Sequence, residues 1–125
     1  MNKLAEKPDD RTINWIWEPD GNVGKSALVK YLVVHCNALL ISGKSADIKY
    51  QIANLDYPPD VIVYDIPRTA RGYINYTALE EIKNGVFCSS KYESKMVIIP
   101  SPHIYCFANF EPNLETMSSV SRMLL

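Results

Sequence analysis

Apolar and polar positions along this 125-residue chain alternate between two kinds of run. Short β-branched or aromatic stretches predict strands, and stretches with apolar residues three and four apart predict helices. Ile13 to Trp17 (INWIW) predicts the first strand. Ser26 to His35 (SALVKYLVVH) carries Leu28, Tyr31, Leu32 and His35 at helical spacing and predicts a helix. Ala38 to Ile41 predicts a second strand, ended by Ser42-Gly43. Ala46 to Asn54 predicts a short helix with Ile48 and Ile52 on one face, and Pro58-Pro59 breaks the chain after it. Val61-Ile62-Val63-Tyr64 is apolar throughout and ends on Asp65, the pattern of a strand buried on both faces, as in a parallel sheet. Tyr76 to Lys83 predicts a third helix, stopped by Asn84-Gly85. Val86 to Ile99 alternates weakly around Ser89 to Ser94 and predicts a β-hairpin. His103 to Ala108 follows Pro100 and Pro102 as another strand, and from Pro112 a loop and a short helical turn are expected. Residues 1–10 are polar, contain Pro8 and predict a disordered lead-in to a domain over residues 11–125. This strand–loop–helix alternation predicts an α/β fold with a mostly parallel central sheet, flanking helices and a β-hairpin.

Composition narrows the classes. Hydrophobic residues make up 47% and charged residues 22%, the balance of a folded chain of one-domain size. The apolar runs are far shorter than the ~20 residues that span a bilayer, and the first residues lack the apolar core of a signal peptide, so no membrane partner is expected. A net charge of -1 means that any nucleic-acid contact must come from a local patch. Cys36, Cys88 and Cys106 have no CxxC spacing, which excludes a disulfide framework or zinc site and predicts buried, reduced thiols. His35 and His103 are too far apart in sequence to suggest a shared metal.

The strongest chemical signal is Gly21-Asn22-Val23-Gly24-Lys25-Ser26, between a predicted strand and a predicted helix, the context of a Walker A phosphate loop. Glycines let backbone N–H groups turn toward phosphate oxygens, and the helix N-terminus adds positive potential there. Lys25 can neutralise β/γ oxygens and the Ser26 hydroxyl can hold Mg²⁺; Ala27 completes the nucleotide-binding set. Pro19 stands where the usual motif has its first glycine, and Gly21 is the candidate to supply the turn. Asp65, at the tip of the buried strand, fits the Walker B carboxylate that meets Mg²⁺. Ile66 follows it rather than a second carboxylate, which leaves the general base open among Asp65, Asp47 and Glu18. Asn109, at the end of the strand beginning at His103, is a candidate γ-phosphate sensor or a turn residue. Arg122 is either solvated or a finger reaching a neighbouring subunit's nucleotide. Lys91 and Lys95, with Tyr92 between them, are candidates to track a single-stranded backbone and stack a base.

Taken in order, these segments resemble the superfamily 3 helicase domain of the replication-associated (Rep) proteins of small circular single-stranded DNA viruses, satellites and related plasmids. The resemblance runs from Arg11 to Arg122. INWIWEPDGNVGKSALVKYL resembles the Walker A segment, LISGKSADIKYQI the segment after it, and VIVYDIPR a Walker B with a single aspartate. KYESKMVIIPSP resembles the B′ hairpin, HIYCFANFEP motif C, and LETMSSVSR the closing segment that presents an arginine. The resemblance implies an AAA+-like P-loop NTPase that hydrolyses ATP with Mg²⁺ and unwinds DNA as a hexameric ring. Lys25, Ser26 and Asp65 would hold Mg-ATP, Asn109 would read the γ-phosphate, and Lys91 and Lys95 would face single-stranded DNA. Arg122 would complete the neighbour's site.

Three departures accompany it. No His-hydrophobe-His pair is present, so nicking and joining of DNA are not expected of this chain. Ser121 and Met123 flank the closing arginine where an aspartate and a tryptophan are usual. The chain stops at Leu125, about where a fifth strand would begin, so that strand is expected to be missing and the domain C-terminally truncated. The two functions that follow are a helicase core acting inside the cell, in the host nucleus if viral, and a relic that binds nucleotide or Rep subunits without unwinding.

Overall fold

The computed structural model describes residues 12–17, 25–66, 74–112 and 120–124. The elements run β1 (Ile13–Trp17), α1 (Lys25–Cys36), β2 (Leu39–Ile41), α2 (Ser45–Ala53), β3 (Val61–Asp65), α3 (Tyr76–Asn84), β4 (Val86–Ser89), β5 (Lys95–Ile98), β6 (His103–Ala108) and β7 (Val120–Leu124). Among the described residues, five strands form one sheet in the order β2-β3-β6-β1-β7, with every pairing parallel. β4 and β5 form a separate antiparallel hairpin. The expected α/β architecture with a parallel sheet is what forms.

Alternation along the strands divides the core into two layers. On β3, Ile62 and Tyr64 face one layer and Val61 and Val63 the other. On β6, Ile104 and Cys106 face the first layer and Tyr105 and Phe107 the second. The first layer takes Ile48 and Ile52 of α2, Leu79 and Ile82 of α3, and Phe87 and Val97 of the hairpin. The second takes Leu32, with Leu28, Val29 and Cys36 packed against it from α1. Each fully buried large apolar side chain contributes about 1.5–3 kcal/mol, so a strand buried on both faces is tightly specified in register. Trp15 anchors the middle of β1. It is fully buried, donates from its indole nitrogen to the Phe110 carbonyl at 2.8 Å, and stacks on Tyr76 at 5.9 Å between ring centroids.

Helix α3 is bounded as its sequence requires. The Asn75 side chain accepts from the Ala78 N–H at the N-terminus. Gly85 ends the helix at φ 90°, in the left-handed region, and the Ile99 N–H donates to its carbonyl at 2.8 Å. A Cβ at Gly85 would lie 2.2 Å from the Ile99 carbonyl oxygen, so this position excludes any side chain on two counts.

Two expectations are corrected. The strand thought missing is present: Val120–Leu124 is β7, paired with β1 from Ile13↔Val120 to Trp17↔Leu124, in place of the expected helical turn. The cause is tertiary. The open side of β1 offers a row of unsatisfied N–H and C=O groups, and pairing there outweighs the helix preference of Met and Leu. The thiols also differ from one another. Cys106 is buried and Cys36 half-buried, but Cys88 faces solvent because the outward positions of β4 carry no covering layer. The predicted lead-in at residues 1–10 lies outside the described residues.

Candidate functional site at the carboxyl ends of the strands

Parallel strands all finish at the same edge of the sheet, where ligands of open α/β sheets bind. β1, β6 and β3 are neighbours, and their ends are in register. Trp17 pairs with Ala108, and Asp65 pairs with Phe107. The Ile66 N–H donates to the Phe107 carbonyl at 2.8 Å, which extends the ladder one residue past Asp65 and fixes the direction of the strand tip. Asn109 follows β6 directly and is half-buried. Helix α1 starts from the same edge, because it follows β1.

The first residue of α1 meets the tip of β3. Lys25 Nζ lies 3.4 Å from Asp65 Oδ1, with the lysine side chain 20% and the aspartate 49% exposed. The first turn of α1 contains no acidic residue, so nothing on the helix itself opposes its positive end. Ser26 and Ala27 sit exposed in that turn. A cation, a helix N-terminus and a carboxylate therefore converge at one point. A pair this open to solvent is held by at most about 1 kcal/mol, so a polyphosphate can take Lys25 from Asp65. Among the described residues no group of three or more His, Cys, Asp or Glu side chains could hold a metal ion. One carboxylate and one serine hydroxyl suit a Mg²⁺ that takes its other oxygens from phosphates and water.

Other predicted residues fall elsewhere. Gly21, Asn22, Val23 and Gly24, with Glu18 and Pro19, lie outside the described residues. Arg122 is in β7, in register with Trp15, and its side chain is likewise outside them. Asp47, one of the candidate bases, is engaged elsewhere: its carboxylate accepts from Lys91 Nζ. That bond holds the Asp47 carboxyl below the usual carboxylate range and holds the Lys91 ammonium above its ordinary value. Lys95 begins β5 instead of sitting at the hairpin tip, and its Nζ donates to the Ala53 carbonyl at 3.0 Å. Both hairpin lysines thus bind α2.

One contributor was missed in the sequence. Tyr50, on α2, meets Tyr92 edge to face at 5.2 Å between centroids, and Lys91 Nζ lies 6.0 Å from the Tyr50 ring and 5.4 Å from the Tyr92 ring. The available signal was the recurrence of Lys-Tyr at 49–50 and 91–92, which says nothing by itself about which rings meet.

No protein-family model matches the chain. Among curated proteins, it is 40% identical over 116 residues to "Para-Rep C2" of the milk vetch dwarf C2 alphasatellite, covering 92% of this chain and 40% of that protein. It is 38% identical over 111 residues to "Para-Rep C1" of the faba bean necrotic yellows C11 alphasatellite, covering 88% and 39%. It is 36% identical over 113 residues to the "Master replication protein" of banana bunchy top virus, covering 90% and 38%. The chain therefore spans about two fifths of the length of these relatives. Across nearly all of its own length, the chain is a homologue of the Para-Rep and master replication proteins of small circular single-stranded DNA replicons.

Proposed function

We propose that this chain is the ATP-hydrolysing core of a Rep-type DNA helicase of the superfamily 3 kind, a P-loop NTPase. The observation that carries the reading is the meeting of Lys25 and Asp65 where α1 begins, at the carboxyl edge of a parallel sheet.

In the proposed mechanism, Lys25 exchanges Asp65 for β- and γ-phosphate oxygens and neutralises their charge. The first turn of α1 directs N–H groups at the same oxygens, and residues 21–24 are the proposed remainder of the phosphate loop. Ser26 and Asp65 would hold Mg²⁺, which supplies further charge neutralisation when bound. Asn109 reads the γ-phosphate and orients water. The water oxygen bonds to the γ-phosphorus, the bond to the leaving diphosphate breaks, and a carboxylate takes the water's proton. With Asp47 committed to Lys91, the candidates for that base are Asp65 and Glu18. Positioning and charge, not covalent chemistry by the protein, lower the barrier. Single-stranded DNA is the proposed partner at the hairpin, through Lys91 and Lys95. A ring of subunits, in which Arg122 reaches the neighbour's nucleotide, is the proposed assembly. The host nucleus is its proposed place of action.

Steady-state ATP hydrolysis, with and without single-stranded DNA, tests the reading. DNA-stimulated turnover is expected, and Lys25→Ala should lower it by roughly 10²-fold or more, as loss of a preorganised charge does elsewhere. A second reading, nucleotide binding without unwinding, is favoured by Ser121 and Met123 in the closing segment. Tight Mg-ATP binding without turnover would select it over the motor.

A further inference from the structure

The hairpin tip carries a cation that is already satisfied. Lys91 Nζ donates to the Asp47 carboxylate in the first turn of α2, and both side chains are about one third exposed. Tyr50 and Tyr92 flank the ammonium with their rings. Tyr92 takes φ 64°, in the left-handed region that a bulky residue seldom adopts, and its side chain is 83% exposed. At the tip the Lys91 charge is therefore paired and the Tyr92 ring is open to solvent, with the exposed Glu93 beside them.

A carboxylate and a phosphodiester offer an ammonium the same kind of anionic oxygen. We propose that Asp47 is a latch that occupies the phosphate site of Lys91, and that a single-stranded DNA phosphate displaces it, freeing the Lys91 ammonium from the carboxylate of α2. This rests on the DNA-binding reading above and goes beyond it by giving Asp47 an opposing role. Binding then costs the Lys91–Asp47 bond, while the exposed Tyr92 ring remains available for a base to stack on. The latch also alters the salt response. A phosphate that binds Lys91 loses a condensed cation, but the released Asp47 carboxylate recruits one, so the net ion release at this contact is small.

The test is fluorescence anisotropy of a labelled oligothymidylate over a salt series, with the full chain. Asp47→Asn removes the competing charge and should tighten binding by about two- to fivefold, the scale of an exposed ion pair. It should also steepen log K against log salt by about 0.7, one single-strand phosphate. Asp47→Ser should change both quantities in the same direction, which separates the lost charge from any quirk of the asparagine. Lys91→Ala should weaken binding, and adding Asp47→Asn to Lys91→Ala should then change nothing. Weakened or unchanged binding in both Asp47 variants, alongside weakened binding in Lys91→Ala, would overturn the latch and leave DNA binding standing. No binding by the wild-type chain or by either Asp47 variant would overturn the DNA reading itself, and the latch with it.

Discussion

At the residue scale, Lys25 and Lys91 each rest on a carboxylate, and in both cases the pairing matters more for what it keeps available than for stability. Lys25 and Asp65 are exposed enough that their attraction adds no more than about 1 kcal/mol to the fold. Lys25→Ala should therefore lower the melting temperature by less than about 4 °C, while hydrolysis collapses. Thermal unfolding of the same preparation used for turnover checks this, and a large drop in melting temperature would make Lys25 a structural residue. Cys106 is the opposite case. It is fully buried on β6, and burial pushes its thiol far above the ordinary range, so almost no thiolate is available as a nucleophile. Iodoacetamide applied to the native chain should label Cys88, which is exposed, well before Cys106. Peptide mass spectrometry over time reads the order, and equal rates would mean that β6 is not sealed in the core.

At the element scale, termini were more legible than faces. Asn84-Gly85 announced the end of α3 because a left-handed cap demands glycine, and the structure adds a second demand, the close approach of the Ile99 carbonyl. Gly85→Ala should cost well over about 1 kcal/mol, since the new Cβ meets the Ile99 backbone directly after β5. A chemical-denaturation midpoint no lower than wild type would show that Ile99 can move aside. The buried face of α1 was harder to read. KSALVKYLVVHC is apolar at most positions, so helical spacing alone does not choose among stripes. The structure buries Leu32 with Leu28 and Val29 beside it, while Tyr31 and Val34 face solvent. The Lys25–Asp65 meeting was legible because loop-to-helix and strand-end motifs fix where each residue emerges. The Lys91–Asp47 meeting was not, because 44 residues separate the pair and no motif links a hairpin tip to the first turn of α2.

At the scale of the whole molecule, β7 decides whether the site's central strand is enclosed. β1 precedes the proposed phosphate loop in sequence, and it lies between β6 and β7. The segment VSRML gives little sign of this role in sequence, because it joins a sheet whose need for it is set more than a hundred residues earlier. A chain ending at Ser119 would leave β1 as an edge strand carrying Ile13, Trp15 and Ile16, all buried in the intact fold. Backbone groups along β1 would lose their partners, and an apolar edge of this kind pairs with other chains. The shortened chain should melt at least about 10 °C lower, since only about 2–3 kcal/mol suffices for that shift in a domain of this size. It should also elute as aggregates in size-exclusion chromatography. Arg122→Ala serves as the control, because it keeps the β7 ladder and removes only the side chain. If Arg122 acts on a neighbour's nucleotide, this variant should keep its melting temperature and lose turnover. A shortened chain as stable and monodisperse as the intact one would mean that β7 is dispensable to the sheet, and the expectation of a missing strand would then have carried no structural penalty.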